Sequence, residues 1–522
     1  MSLYRNFLSV GSMTLLSRLL GFVRDMLMAS VLGTGMAADA FFAAFRFPNL
    51  FRRLFAEGAF NAAFIPLFSG ALETMGEEEA RLFASRIISW LIAFLAVITL
   101  LVELFMPYLL VPFVPGFLRD QEKFELTVLL TRICFPYLAC MSLMAAYGGI
   151  LNGLNHFLAA AFAPVLLNIV LVTLMGALVL FAVRDPLHAA IWVSIGTLAG
   201  GVAQLALVWW AVRKTGFLPR FRLPKFDKDV RRFWWLALPA IASGGITQIN
   251  IFIGTIIASG AAGAISYLYY ADRLYQLPLG IIGIAIGVVL LPELSRHLKG
   301  GRETEARAAL DKSLLLAMLL SVPAAAGLMA LGEPIIRVLF ERGAFGPEAT
   351  HATAIALFAF ASGLPAFVLI KLFQPGFFAR ENTRTPTIFA GISVIVNIGI
   401  SLALFPQFAH LGIAIATSVS AWINAFFLAS TLMRQGHFAL SVHQIIQQVT
   451  IVLTAIVLAL GLWLGAESLA SNLTSDATLT RQSLTLAGLI FLGFVGYFTT
   501  IHLTGVQNLR TLFKGLLNSS AK

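Results

Sequence analysis

Residues 17–58 read SRLLGFVRDMLMASVLGTGMAADAFFAAFRFPNLFRRLFAEG, and this stretch decides how the rest of the chain is interpreted. It has the pattern of two long apolar helices joined at a turn that contains Gly33 and Gly35. Polar side chains recur along both helices at helical spacing, which predicts a continuous polar stripe on each apolar rod. The members of this stripe are Arg18, Arg24, Asp25, Asp39, Arg46, Asn49, Arg52, Arg53 and Glu57.

Such a stripe is costly if the helices span a membrane. A charged side chain at the centre of a membrane helix costs roughly 2.5–3.5 kcal/mol on insertion scales, so three or four cost on the order of 10 kcal/mol. A water-filled cavity or a charged ligand would offset this cost. The alternative is that an arginine near a helix end extends to the membrane surface. That alternative stays open for Arg53 and is disfavoured for Arg24, which lies mid-segment.

The composition favours a polytopic membrane protein. The 522 residues are 59% hydrophobic and only 12% charged, whereas a soluble protein would carry about twice that charge. The net charge of +11 does not indicate nucleic-acid binding, because the cations lie in short loops where membrane topology explains them better. Apolar runs of about twenty residues are too long for barrel strands. They predict an all-α protein with fourteen transmembrane helices.

The charges of the loops predict the orientation in the membrane. Lysine and arginine concentrate in alternate loops, and the linker 213–232 alone holds eight of them against two aspartates. Loops rich in these residues stay in the cytoplasm. We therefore expect a multi-pass protein with both termini on the cytoplasmic side.

Short matches at a near-constant offset indicate an internal duplication. IPLFS at 65–69 and LPELS at 291–295 lie 226 residues apart, and Asn168 and Asn397 lie 229 apart. We expect two six-helix lobes, helices 1–6 in residues 1–220 and helices 7–12 in residues 221–436, followed by a C-terminal helix pair and tail in residues 437–522. Duplicated bundles of this kind bind substrate between the repeats near the membrane midplane.

Catalytic and metal-binding motifs are missing from the sequence. It contains no HExxH zinc motif, nucleophile elbow, Walker lysine or CxxC pair, and its histidines are scattered. Cys134 and Cys140 are interpreted as packing residues. We expect a transporter without a cofactor or metal, driven by the membrane potential, a monovalent ion or the gradient of its substrate.

Arginine predominates among the cations of the stripe, which favours an anionic ligand. Its planar guanidinium binds phosphate bidentately and keeps its proton. The arginines expected to line a cavity are Arg18, Arg24, Arg52 and, in the second half, Arg273. Acidic neighbours would hold these arginines apart and orient them when no ligand is bound; they are Asp25, Asp39 and Glu57. A transporter of cationic drugs would instead need unpaired carboxylates there.

Three stretches are similar to the signature sequences of the MurJ (MviN) family of bacterial lipid II flippases, in the MOP superfamily. They are SMTLLSRLLGFVRD at 12–25, GMAADAFFAAFRFPNLFRRLFAEGAFNAAFIP at 35–66 and YYADRLYQLPLGIIGIAIGVVLLPELS at 269–295. The resemblance covers essentially the whole chain. It implies a protein that moves the undecaprenyl-diphosphate-linked peptidoglycan precursor from the cytoplasmic to the periplasmic leaflet of the inner membrane, in cell-wall biosynthesis.

The resemblance also implies a set of functional residues. It implies a central cavity lined by arginines, here Arg18, Arg24, Arg52 and Arg273, accompanied by Asp39 and Glu57. The last two helices are implied to form a groove for the lipid tail. Gln276 stands where some members carry a glutamate, so an acid-dependent ion-coupling role is in doubt at that position. The expected partners are lipid II and membrane lipids, with the cell-wall synthesis machinery as a further candidate.

Other functions remain as alternatives. A multidrug or toxin exporter, or another lipid-linked oligosaccharide exporter, would share the superfamily fold. An integral-membrane glycosyltransferase or a scaffold for wall enzymes forms a third class. The lack of a large extramembrane loop with paired acids argues against the enzyme.

Overall fold

The computed structural model describes residues 3–53 and 60–507, and helices fill most of this part of the chain. Within those two ranges no strand occurs, so the predicted all-α class is confirmed. The helices in chain order are α1 (Leu3–Leu32), α2 (Met36–Phe51), α3 (Asn61–Leu110), α4 (Gln121–Cys134), α5 (Tyr137–Gly153), α6 (Leu158–Leu180), α7 (Pro186–Lys214), α8 (Lys228–Ala258), α9 (Ala264–Lys299), α10 (Glu303–Ala330), α11 (Gly332–Phe340), α12 (Pro347–Phe378), α13 (Arg384–Phe408), α14 (His410–Arg434), α15 (Val442–Ser468) and α16 (Leu479–Leu503).

Among the described residues, 10 helical segments are long and apolar enough to cross a membrane. They are Ala63–Leu110, Gln121–Gly153, Leu158–Leu180, Pro186–Lys214, Glu303–Ala330, Pro347–Phe378, Arg384–Phe408, His410–Arg434, Val442–Ser468 and Leu479–Leu503. These segments confirm a multi-pass membrane protein. The count of fourteen stays a prediction.

Helix α3 is two helical segments that meet at a glycine. Gly76 has φ 85° and ψ 176°, while the residues on both sides are helical. This backbone conformation is one that only glycine adopts without steric cost. The apolar runs of the sequence predict a second span over about 37–67 and a third over about 84–113, and the break at Gly76 lies between them.

Side-chain caps set the starts of several helices. Asp120, Asp185 and Asp227 each accept a hydrogen bond from a backbone N–H in the first turn of α4, α7 and α8 respectively. Ser441 and Gln444 form a reciprocal capping box at the start of α15. Such caps satisfy N–H groups that have no partner within the helix.

The packing of the chain divides it into two compact units. Unit 1 is Met1–Ser266 with Arg342–Gly346, and unit 2 is Tyr267–Glu341 with Pro347–Lys522. The lobe boundaries expected from the repeat, at residues 220 and 436, stay predictions.

An aromatic core fills part of unit 1, between α3, α5 and α8. Phe64 stacks on Phe68 and Phe83, with ring centroids 5.5 and 5.9 Å apart. Gly153 on α5 approaches this stack so closely that a Cβ there would lie 2.7 Å from the ring of Phe68. The glycine therefore allows α5 to pack against the phenylalanines of α3.

A second close approach in unit 1 joins the segment Arg342–Gly346 to the end of α1. The N–H of Ala344 donates to the carbonyl of Ser30 at 2.8 Å. Gly33 and Gly343 both have positive φ. A Cβ on Gly33 would lie 2.3 Å from the carbonyl oxygen of Ala344, and a Cβ on Gly343 would lie 2.3 Å from that of Ser30. Glycine at these two positions is what permits the contact.

In unit 2, α15 and α16 pack on α10 and α11. The buried side chains of this contact include Leu319, Ile451 and Tyr497. The hydroxyl of Tyr497 donates to the carbonyl of Leu319 at 3.1 Å, which satisfies a phenol that is 2% exposed. The helix pair at the C-terminus is thus fixed to α10 by both apolar packing and a buried hydrogen bond.

Candidate functional site

Arg24 is the best-defined cation of the polar stripe. It lies in the last third of α1 and is half-buried. Its Nη2 and Nε donate to Oδ1 of Asp25 at 2.7 and 3.0 Å, and its Nη1 donates to Oδ1 of Asn168 on α6 at 3.1 Å. The guanidinium is therefore held in one orientation by a carboxylate and an amide.

Asn168 is itself anchored to α1. Its amide nitrogen donates to the carbonyl of Ser17 at 2.9 Å, and the side chain is 5% exposed. Gly21 lies opposite, where a Cβ would be 3.6 Å from that nitrogen. In the sequence, Asn168 is noticeable only as a member of the repeat, and its contact with Arg24 is not predicted. The sequence signal for a functional role of Asn168 is a polar amide in the middle of an otherwise apolar span.

Arg18 lies on the exposed surface of α1, among exposed leucines. The sequence spacing predicts that Arg18, Gly21 and Asp25 share one face of the helix. In the structure Asp25 is 3% exposed, while Arg18 is exposed.

Helix α2 continues the stripe with an arginine held by an amide. Nε of Arg52 donates to Oδ1 of Asn49 at 2.7 Å, one turn earlier on the same face. Nη1 of Arg46 donates to the hydroxyl of Thr255 on α8 at 2.8 Å. Arg53 is exposed. Glu57 lies outside the described residues.

Asp39 has surroundings that the sequence did not predict. Its carboxylate is 0% exposed, and Oδ2 receives the ammonium of Lys123 on α4 at 2.7 Å. It also accepts from the backbone N–H groups of Gly263 and Ser266, at 2.8 and 3.0 Å, and from the hydroxyl of Ser266 at 2.8 Å. Its charged partner is therefore a lysine, where the stripe had suggested an arginine.

This carboxylate lies at the start of α9, where two backbone N–H groups point at it. A negative charge at a helix N-terminus is favourable because the N–H groups there have no partner within the helix. The ammonium of Lys123 also lies 4.1 Å from the ring centre of Phe117. Four donors and an aromatic face together compensate for burying both charges.

Arg273 belongs to unit 2 and lies in the first half of α9. Its Nη2 donates to the hydroxyl of Tyr269 at 3.1 Å, and its guanidinium carbon lies 4.8 Å from the centre of that ring. The amide of Gln276 donates to the carboxylate of Asp272. In both pairs the residues are one helical turn apart, the spacing at which side chains on a helix meet.

An apolar groove crosses unit 2 beside the C-terminal helix pair. Its volume is about 350 Å³. Its lining is almost entirely apolar and includes Pro323, Leu328, Leu458, Gly493 and Phe494, from α10, α15 and α16. Such a groove suits a hydrocarbon chain. Across residues 3–53 and 60–507, no three His, Cys, Asp or Glu side chains are grouped as metal ligands would be.

The chain is similar to known proteins over nearly its whole length. A family model described as "Lipid II flippase MurJ" matches residues 28–482. A probable lipid II flippase MurJ of Rhizobium meliloti (strain 1021) is 49% identical over 95% of this chain and 93% of its own length. The corresponding protein of Rickettsia prowazekii (strain Madrid E) is 35% identical over 97% of this chain and 99% of its own length.

Solved structures give the same result for the fold. A structure titled lipid II flippase MurJ in an inward closed conformation has a TM-score of 0.78 and 27% identity, over 95% of this chain and 98% of that one. An inward-facing multidrug transporter of the MATE family has a TM-score of 0.66 and 14% identity, over 81% and 95% respectively. The second likeness concerns the fold alone. With its all-α fold, a family model that matches residues 28–482 and relatives at 49% and 35% identity that cover 95% and 97% of it, the chain belongs to the MurJ family of lipid II flippases.

Proposed function

We propose that this protein moves lipid II from the cytoplasmic to the periplasmic leaflet of the bacterial inner membrane by alternating access. In this proposal the diphosphate of lipid II binds arginines of the polar stripe, and the prenyl chain stays in apolar surroundings. The single observation that supports it most strongly is that the guanidinium of Arg24, on an apolar helix, is fixed in orientation by hydrogen bonds to Asp25 and Asn168.

The pairing of Arg24 with Asp25 explains how a cation can wait in a membrane helix. A paired guanidinium costs less to bury than a lone one, because the carboxylate replaces part of the lost hydration. A diphosphate carries more negative charge than a carboxylate and matches the same planar fork. It would therefore compete with Asp25 for the guanidinium, while Asn168 keeps the guanidinium in the same orientation.

Other residues complete the proposed substrate set. Arg52, oriented by Asn49, would bind a second phosphate oxygen, with Arg18 and Arg53 supplying positive charge along α1 and α2. Arg273 is included through its position in the family sequence and its orientation by Tyr269. The acidic members of the proposed set, Asp25, Asp39 and Glu57, would position cations and would not contact the diphosphate.

The apolar groove between α10, α15 and α16 would hold the prenyl chain. Its lining offers hydrocarbon contact, so a prenyl chain could pass between the groove and the lipid without exposure to water. The diphosphate and the tail thus require surfaces of different chemistry.

The remaining parts of the proposal concern the setting. Both termini would be cytoplasmic, because the cation-rich loops fall on one side of the predicted topology. The protein would act as a transporter without a catalytic step, and the cell-wall synthesis machinery would receive the flipped precursor. A monovalent ion or the membrane potential would drive the cycle.

A multidrug exporter is the competing function. Its main support is the MATE fold likeness, which comes at 14% identity. The paired state of Asp25 and Asp39 disfavours it, since a cationic drug requires carboxylates that are available to it.

The test is the leaflet location of lipid II in cells that depend on this chain. The variants are Arg24→Ala and Arg273→Ala, with Arg184→Ala, an exposed loop arginine, as the matched control. Loss of one charge-assisted arginine contact of about 1.5–3 kcal/mol should slow flipping roughly ten- to hundred-fold, while the protein still inserts. The control should flip normally. Normal flipping in both substituted proteins would contradict the proposed binding set.

A further inference from the structure

The segment between α7 and α8 is non-helical and lies along α3 in unit 1. We call residues 215–227 the strap. The backbone N–H groups of Arg220 and Arg222 donate to the hydroxyls of Ser85 and Ser89 at 3.0 and 2.9 Å. The indole N–H of Trp90 donates to the carbonyl of Lys225 at 2.9 Å. Three successive bonds to α3 therefore fix the path of the strap.

The acidic residues at the end of the strap face α3. Nη1 of Arg86 lies 3.2 Å from a carboxylate oxygen of Asp227 and 2.8 Å from one of Asp229. Asp227 also accepts from the N–H of Val230 at the start of α8. Both carboxylates are thus engaged by local donors on the α3 side.

The outward side of the strap combines cations with large apolar side chains. Phe221, Leu223 and Phe226 are exposed, Leu223 by 81%. Cations of the strap and of the adjoining helix ends are all exposed; they are Arg213, Lys214, Arg220, Arg222, Lys225, Lys228, Arg231 and Arg232. Exposed apolar and positive side chains therefore alternate along the strap, and the ring of Phe226 also lies 5.8 Å from that of Trp90 on α3.

The adjoining helix ends carry the same signature. Trp209 and Trp210 are exposed near the end of α7, and Trp235 is exposed near the start of α8. The cation of Lys214 lies 3.6 Å from the ring centre of Trp210. Tryptophan concentrates at the membrane–water interface, where one side of the ring is apolar and the other is hydrated. Exposed tryptophans beside exposed cations are typical of a segment at the level of the lipid headgroups.

We propose that the strap and the adjoining ends of α7 and α8 form a docking surface for anionic phospholipids of the leaflet in which they lie. The cations would bind headgroup phosphates, and the exposed phenylalanine and leucine side chains would contact the upper part of the acyl chains. A nucleic acid or an acidic peptide would satisfy the cations but would leave this apolar surface in water. The proposal concerns the surrounding membrane and does not depend on lipid II transport.

A role limited to membrane orientation makes a different prediction. Topology depends on the number of lysines and arginines in a loop, whatever path the loop takes. If the cations served only for orientation, the hydroxyls of Ser85 and Ser89 would have no effect on lipid binding. A lipid-binding surface formed by the strap depends both on its cations and on the path that the bonds to Ser85 and Ser89 fix.

The experiment measures lipid binding to the purified full-length chain in detergent, by native mass spectrometry with phosphatidylglycerol and with zwitterionic phosphatidylcholine. The charge variant is Arg222→Gln/Lys225→Gln. Its matched control, Lys299→Gln/Arg434→Gln, removes two exposed cations from unit 2. The path variant, Ser85→Ala/Ser89→Ala, keeps every cation and removes two of the three bonds that fix the strap. Thermal unfolding without added lipid checks that each variant is folded.

We expect phosphatidylglycerol to bind the parent more tightly than phosphatidylcholine. The charge variant should bind phosphatidylglycerol about thirty-fold more weakly, the factor that follows from about 1 kcal/mol for each of two cations at an anionic surface. The control should stay within about two-fold, and the path variant should bind more weakly than the control. The proposal is overturned if the charge variant matches its control, if the path variant binds like the parent, or if both lipids bind equally.

Discussion

Arg24 and Asp39 are both ionised groups on apolar helices of unit 1, yet their surroundings differ. Arg24 is half-buried and contacts one carboxylate and one amide, whereas the carboxylate of Asp39 is fully buried among four donors. A group with four fixed donors has little capacity for a further ligand. We therefore assign substrate contact to Arg24 in the proposed mechanism and a positioning role to Asp39.

Substitution of Asn168 tests whether the amide positions Arg24. Asn168→Leu keeps the approximate volume, removes the acceptor for Nη1 of Arg24 and removes the donor to Ser17. We expect lipid II flipping to fall about ten-fold, because the loss of a hydrogen bond to a charged group costs about 1.5 kcal/mol. The readout is leaflet-resolved lipid II at matched protein levels. Asn397→Leu, the equivalent change at the repeat partner on α13, is the control; an equal loss in both would point to general packing.

Substitution of Asp39 tests the buried ion pair. Asp39→Asn leaves the ammonium of Lys123 buried without its counter-charge, so we expect a loss of about 3–5 kcal/mol in the free energy of unfolding. The double variant Asp39→Asn/Lys123→Met should lose less than Asp39→Asn alone, because no uncompensated charge remains. Thermal unfolding of the purified variants in detergent measures both. Additive losses would show that the two side chains do not depend on each other.

At the scale of helices, the sequence predicted much that the structure contains. Apolar runs and their breakers placed the helical segments, because burial of the backbone in lipid requires internally bonded helices. Tyr269 and Arg273 contact each other because residues one helical turn apart lie on the same face. The pair Asp39 and Lys123 could not be predicted, because the two residues are 84 positions apart and nothing local relates them. Asn168 escaped for the same reason, as it lies 144 positions from Arg24.

The groove beside α15 and α16 permits a direct test at this scale. Gly327 lines the groove, and a Cβ there would meet no atom within 4 Å. Gly327→Phe should therefore fill the groove without disturbing the helix, and we expect slower lipid II flipping with unchanged thermal stability. Gly391→Phe on α13, which also has open space around its Cβ, is the control. Flipping at the parental rate in Gly327→Phe would contradict a role for the groove in holding the prenyl chain.

At the scale of the whole molecule, this chain of the MurJ family carries two kinds of surface, oriented arginines on its polar stripe and an apolar groove beside α15 and α16. The chain is 49% identical to the Rhizobium meliloti protein over 95% of its length. Its charged side chains are few, and two arginines of the stripe, Arg24 and Arg52, are oriented by a carboxylate or an amide. An ordered set of arginines in an apolar frame suits a lipid whose headgroup is anionic and whose tail is hydrocarbon.

The most direct measurement is lipid II exchange between leaflets of vesicles that contain only the purified chain. Fluorescent lipid II is placed in one leaflet, and its appearance in the other is followed with the parent chain, with Arg24→Ala and with Arg184→Ala. We predict exchange with the parent and with Arg184→Ala, and exchange near the protein-free rate with Arg24→Ala. Exchange by Arg24→Ala at the parental rate, or none by the folded parent, would contradict the claim that arginines of the stripe carry the diphosphate across the membrane.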